Sequence, residues 1–254
     1  MKKWIIRIGL VVVALFIVAI VTVVIFLDGI VKKGVETAGP MITKVEVKLD
    51  KASVSLFSGS AELKGLFVGN PPGYTTECAM KIGDVSVSLK PMSVLSDKII
   101  IRSINVKAPD ITIEGGLKEN NLTKIESNVN GSSGTSAGGG APAQSGSKKK
   151  IQVTDLVVSG AKLHVKSPLL AGKMVSVPLP DIHLTDLGTG SDGITPAELT
   201  QKVMSSLMKE VVPAFTKVLS NVGAEAVGLG KDAGKQGQDA LKKAAGGLKG
   251  IIGQ

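Results

Sequence analysis

Ile101-Arg102-Ser103-Ile104-Asn105-Val106-Lys107-Ala108-Pro109-Asp110-Ile111-Thr112-Ile113-Glu114 alternates apolar and polar side chains in two runs joined at Ala-Pro. A period of two places Ile104 and Val106, and then Ile111 and Ile113, on one face of extended chain. Shifted by 52 residues the apolar pattern recurs: Ile101 falls on Val153, Ile104 on Leu156, Val106 on Val158, Ile111 on Leu163 and Ile113 on Val165. Two strands with a short turn between them are therefore expected as a repeated unit. The same period runs through Val45, Val47 and Leu49, through Val54 and Leu56, and through Val85, Val87 and Leu89. Ser58-Gly59-Ser60 and Asn70-Pro71-Pro72-Gly73 supply turns between these runs. Val175, Val177 and Leu179 suggest another strand, which Pro178 and Pro180 would place at a sheet edge. The expected fold class is mainly β (α+β), a twisted and mostly antiparallel sheet covered by a C-terminal helix.

Two segments carry a helical signal. Residues 8–27 hold no charge and are rich in Val, Ile and Leu. As a helix they span roughly 30 Å, the thickness of a bilayer's hydrocarbon core. Lys2, Lys3 and Arg7 precede them, so the expectation is a transmembrane signal-anchor with residues 1–7 cytoplasmic and the chain after about residue 28 outside the cytoplasmic membrane. A cleaved signal peptide is the alternative, but no small-residue cleavage site follows. The second helix starts clearly: Thr195 can cap it, Pro196 takes the first position and Glu198 completes a capping box. Leu199, Val203, Leu207, Val211, Phe215, Val218 and Val222 then form one apolar stripe. The resulting division starts with an N-terminal β region over 28–129. A Gly/Ser/Ala linker follows over 130–150, ending in three lysines, then a second β region over 151–190. An amphipathic helix over 191–222 precedes a Gly/Ala/Lys-rich tail over 223–254, which reads either as a frayed end or as a membrane-surface segment.

Composition removes several kinds of chemistry. The net charge of +9 is concentrated at Lys2, Lys3 and Arg7 and at Lys148, Lys149 and Lys150, and the chain has seven aromatic residues. Nucleic-acid binding needs a continuous basic surface with stacking platforms, so no nucleic-acid partner is expected. One cysteine, Cys78, excludes a disulfide framework, and two histidines leave few metal ligands. Asp181, His183 and Asp186 form the only compact ligand cluster, but a third ligand facing the same way is lacking. Gly188-Thr189-Gly190-Ser191-Asp192-Gly193 fits a glycine spacing used for dinucleotides, without the following parallel strand or the acidic residue of that motif. No serine has a histidine and carboxylate at motif spacing. No catalytic residue, cofactor or metal is expected, and the chain is read as non-enzymatic.

The stretch from Ser55-Leu56-Phe57-Ser58-Gly59-Ser60 through Asn70-Pro71-Pro72-Gly73-Tyr74 resembles the N-terminal region of the AsmA family of bacterial envelope proteins. The likeness continues through Met92-Ser93-Val94-Leu95-Ser96-Asp97-Lys98-Ile99 and Ala108-Pro109-Asp110-Ile111-Thr112-Ile113-Glu114 to Asn121-Leu122. It covers about residues 1–125, and the second half looks like a short variant of the longer members. The resemblance implies an inner-membrane-anchored periplasmic protein of outer-membrane biogenesis, with long relatives whose β-grooves are thought to conduct lipid. On this reading Val85, Val87, Leu89, Ile104, Val106, Ile111 and Ile113 form a lipid-facing surface for phospholipid acyl chains. The same alternation also suits a packed core. The alternative function is a membrane-tethered scaffold that influences targeting or assembly of outer-membrane proteins through an exposed strand edge.

Overall fold

The computed structural model describes residues 2–55, 57–133, 149–171 and 173–221. Helix α1 (Lys2–Thr43) is followed by strands β1 (Val47–Ser55), β2 (Ser60–Val68), β3 (Met80–Leu89), β4 (Lys98–Lys107) and β5 (Asp110–Glu114). Helix α2 (Asn121–Ser133) then leads to β6 (Lys150–Ser159), β7 (Lys162–Lys166), β8 (Met174–Pro178) and β9 (Ile182–Leu187). A third helix, α3, spans 196–221. All nine strands form one sheet.

The registers show that β4 and β5 are one long strand interrupted at Ala108-Pro109, since both pair antiparallel with β3. In the same way β6–β7 and β8–β9 are interrupted strands that pair antiparallel with each other. The sheet is thus six long strands across, in chain order. The 52-residue repeat is a pairing register: β4 lies parallel to β6 with Ile101 beside Val153, Ile104 beside Leu156 and Val106 beside Val158. β5 continues parallel to β7 with Ile111 beside Leu163 and Ile113 beside Val165. Parallel neighbours need a long crossover, and the segment containing α2 supplies it.

A crease crosses the whole sheet. Pairing is interrupted between Leu49 and Lys51 on β1 and at Gly65 on β2. It is interrupted again between Ile82 and Asp84 on β3, at Ala108-Pro109, at Gly160-Ala161 and at Leu179–Asp181. Inward-facing Val106 and Ile111 are separated by an odd number of positions, as are Val158 and Leu163, or Leu63 and Leu66. A regular strand would turn the second of each pair to the opposite face. One unpaired residue at matched positions of neighbouring strands restores the face and kinks the strands together. Gly65 (φ 63), Ala108 (φ 45) and Gly160 (φ 64) take the left-handed conformation that this bend requires.

The inner, apolar face of the bent sheet is packed by helices. α2, which packs on β5, contributes Leu122, Ile125 and Val129 to one buried cluster with Ile111, Ile113, Leu163 and Val165. α3 brings Met204, Leu207, Met208, Val211, Phe215 and Val218 into the same buried cluster as Val153, Leu156, Val158 and Ile182. Its start is the reciprocal pair expected: Thr195 N–H donates to Glu198 and Glu198 N–H donates to the Thr195 hydroxyl. The helix continues through Pro213. α1 closes the β1 edge. Asp28 accepts from Val54 N–H at 2.7 Å, Glu36 accepts from Leu49 N–H, and Lys32 donates to the Asp50 carbonyl. These three side chains recur every fourth residue, so one helix face satisfies an otherwise bare strand edge.

Several expectations are corrected. Among the described residues the fold class is mixed α/β, with one large sheet and three helices, rather than mainly β with an N-terminal transmembrane helix and a single covering C-terminal helix. α2 and the second half of α1 account for the difference. The chain is helical over 8–27, but that helix runs on to Thr43, where Lys44 (φ 57) breaks it, and its charged second half is committed to β1. Among the described residues, no helix is long and apolar enough to cross a membrane. The N-terminal transmembrane helix and signal-anchor, the cytoplasmic 1–7 and the single-pass bacterial inner-membrane location with a periplasmic bulk are corrected on that finding. Residues 130–133 of the expected linker belong to α2, while 134–148 and the tail over 223–254 lie outside the described residues.

Candidate functional site

Cross-strand pairing gathers the inner-face residues into rows. Val54 lies opposite Ala61, Ala61 opposite Val87, and Val87 opposite Ile104. The next row joins Ala52, Leu63, Val85, Val106, Val158 and Ile182. Leu89 pairs with Ile101, which stands beside Val153. The seven residues predicted to face lipid therefore share one face, but in two environments. Ile111 and Ile113 are fully buried beneath α2, and Val85 is buried as well. Val54, Ala61, Leu63, Val87 and Leu89 are half-buried outside the core cluster, whereas the half-buried Ile104 and Val106 pack against that cluster and form the strip's margin on the core. That half-buried strip across β1–β4 lies between α1 on one side and the α3-packed core on the other.

The outer face is polar. A shallow groove at one end of β1–β4 is lined by Ser53, Ser55, Ser60, Glu62, Ser86, Ser88, Ser103 and Asn105 together with Asp28, Val54, Ala61 and Val87. On β5, β7 and β8 the outer face brings together a trio that sequence spacing did not announce. His164 bonds Ser176 through Nδ1 at 2.7 Å and Asp110 through Nε2 at 3.0 Å. Asp110 and His164 border an open groove of about 590 Å³ lined also by Thr76, Lys81, Lys166 and Met174. Only knowledge of the parallel register could have found it, because 54 residues separate Asp110 from His164. Residue types match an acyl-transfer triad, but the setting does not. The Asp110 side chain is 54% exposed, so water screens the charge that would support an imidazolium. The three side chains are cross-strand neighbours on an open sheet surface, which ordinary polar pairing explains.

A second polar cluster has a structural role. Glu114 accepts from the backbone N–H and hydroxyl of both Thr75 and Thr76, and pairs with Lys166 at 3.1 Å. Burial alone would raise this carboxyl, but the converging donors hold it well below the usual carboxylate range, at about 2. Glu114 N–H in turn donates to Asn121, whose amide donates to Asn70 and to the Thr112 carbonyl. Asn70 closes the ring by donating to Thr76. The Asn-Pro-Pro-Gly turn, the Ile-Glu end of β5 and the Asn-Leu start of α2 are thus one interlocked unit.

The remaining candidates are separated by the fold. Asp181 accepts from Gly160 N–H, and His183 pairs with Asp155 rather than with Asp186. Among the described residues no group of three potential ligands converges on a metal position. Burial pushes the Cys78 thiol up, away from the thiolate form that nucleophiles and ligands use. Gly188 makes a close turn against the Ile151 carbonyl, which fits a β9–α3 hinge.

No family model, curated protein or solved structure matches this chain. The functional reading therefore stands on the geometry of its two faces and on the sequence resemblance alone.

Proposed function

We propose that the protein is a non-enzymatic envelope protein that shelters phospholipid acyl chains on the half-buried apolar strip of β1–β4, in support of outer-membrane assembly. The observation carrying this reading is the row Val54–Ala61–Val87–Ile104, continuous across four strands yet only half-buried, while homologous positions in β5 and β7 are sealed beneath α2. A strip four strands across is roughly 15 Å wide, enough for two or three extended hydrocarbon chains. Burying apolar chain surface there is favourable by about 25 cal/mol per Å². The AsmA resemblance points the same way.

Photo-crosslinking tests it. The full chain is incubated with a phosphatidylethanolamine carrying a diazirine at the acyl terminus, irradiated and mapped by peptide mass spectrometry. Adducts at Leu63, Val87 or Ile104 are the expected result. Adducts confined to α1 and the loops would remove the acyl-chain reading.

The scaffold alternative draws on one observation, the β8–β9 edge, which no described strand pairs from outside. Pro178 and Pro180 withdraw backbone donors from that edge, a common way of blunting it against a partner strand. Acyl-chain sheltering is accordingly the reading preferred.

A further inference from the structure

We infer that the end of the sheet where β1 passes to β2 and β3 to β4 is a docking surface for an anionic phospholipid bilayer, seating Phe57, Met92 and Leu95 among the headgroups. Pairing places both connections at one end, since Ser55 faces Ser60 and Ser60 faces Ser88. Leu89 N–H donates to the Gly59 carbonyl and ties them together. Phe57 is 89% exposed, Leu95 83% and Met92 72%. Single exposed apolar residues are ordinary, but three at the tips of adjoining turns form a patch that needs a partner.

These side chains are held outward by built structure. Met92 and Leu95 lie three apart in a 3₁₀ turn, Pro91–Leu95, so they project on the same side. The turn is fixed from within by buried Ser93, whose hydroxyl donates to the Lys90 carbonyl and accepts from Ile100 N–H. The conformation is therefore set without burying Met92 or Leu95.

The charge around the patch identifies the occupant. Lys90 and Lys149 are exposed beside the turn, and Lys149 reaches the Val94 carbonyl. Lys98 and Lys150 stand side by side in the parallel register, an arrangement of like charges that is unfavourable by itself. Asp97 and Asp192 stand beside these two lysines, and Glu198 interacts with the charge of Lys150. An anionic surface offsets the clustered lysines, and its hydrocarbon boundary receives Phe57, Met92 and Leu95; a free phosphate would leave the apolar tips bare. α1 passes the same end, because Asp28 bonds Val54, and it carries exposed Phe26 just beyond. Docking of this kind requires no helix to cross the bilayer, and it does not depend on acyl chains occupying the inner face.

The test uses the full chain with single cysteines introduced as Phe57→Cys, Leu95→Cys or Leu169→Cys and labelled with an environment-sensitive NBD fluorophore. Cys78 is buried and left in place. Leu169 is the control: it is also an exposed apolar residue, but it lies in the turn after β7, at the opposite end of the sheet. With phosphatidylcholine vesicles containing phosphatidylglycerol and a brominated lipid quencher, labels at 57 and 95 should brighten severalfold, shift to the blue and be quenched, while the label at 169 stays unchanged. Lys90→Gln with Lys149→Gln should weaken the response on the order of tenfold, as should omission of phosphatidylglycerol. Equal quenching at all three positions, no quenching at 57 and 95, or a response indifferent to phosphatidylglycerol overturns the inference. The crosslinking map of the inner face is read independently, so either proposal can fail alone.

Discussion

Glu114 concentrates more of the structure's electrostatics than any other described side chain, with four hydrogen-bond donations from Thr75 and Thr76 and an ion pair to Lys166. Its carboxyl titrates at about 2 in the fold against an ordinary 4.5, and its side chain is only 13% exposed. Because the folded value is depressed, this stabilisation is fully present above about pH 4.5 and is lost as pH falls toward 2. The loss is on the order of 2–3 kcal/mol. Glu114→Gln should therefore lower stability at neutral pH by a similar amount and flatten the acid limb of a urea-midpoint profile between those pH values. An unchanged acid limb would show that another carboxylate governs it. Nothing in the local sequence marks Glu114 as different from neighbouring acids. Its partners are separated from it by 38 and 52 positions, so burial and hydrogen bonding could be assigned only once the strands were paired. The alternation, by contrast, was legible at single residues: Ile111 and Ile113 read as one face, and they are.

The crease belongs to the scale of elements, and it was half visible. A 52-residue repeat can be read directly, because apolar side chains in neighbouring parallel strands must match to share a face. Its meaning as a pairing register was not readable, because a repeat by itself does not distinguish adjacent strands from separated copies. α2 was missed because its stripe has only Leu122, Ile125 and Val129 among polar residues. The end of α1 was missed because Asp28, Lys32 and Glu36 look like solvated charges until β1 is placed beside them. Two experiments address these elements. Ala108 and Gly160 occupy equivalent crease positions, and both are left-handed. Ala108→Gly should be neutral or stabilising by up to about 1 kcal/mol through relief of that conformation. Gly160→Ala, with its nearest neighbour at 3.9 Å, should cost about 1–2 kcal/mol. Gly65→Ala should cost more, since an added Cβ would lie 2.0 Å from the Asp50 carboxylate. Chemical denaturation reads the ranking, and equal effects at 65 and 160 would contradict it. For the β1 edge, Asp28→Ala with Glu36→Ala leaves Val54 and Leu49 N–H without these partners. The expected outcome is concentration-dependent self-association in light scattering, with near-native circular dichroism.

At the scale of the whole molecule, collinear strands change what the sheet can do. Nine strands abreast would extend roughly 40 Å, whereas six are roughly 25 Å across, and the bend folds that width around α2 and α3. Such a body suits a compact binding module rather than a conduit between distant membranes. The inner face then divides by burial into a part that holds the fold and a part that is available, and paired substitutions separate them. Ile113 is completely buried, beside Val165 of β7 and in one cluster with Leu122, Ile125 and Val129 of α2. Ile113→Ala should remove about 2–5 kcal/mol and abolish any lipid adduct only by unfolding the domain. Val87, half-buried in the row between Ala61 and Ile104, lies on the available part. Val87→Ser deletes apolar contact without filling space, so its cost should be about 1–2 kcal/mol and the fold should persist. If acyl chains lie on this strip, Val87→Ser reduces the diazirine adducts at Leu63 and Ile104 severalfold while the melting transition remains cooperative. If adducts fall only in variants that also unfold, the strip is core like the rest of the face. The Phe57 end would then carry whatever contact the protein makes with lipid.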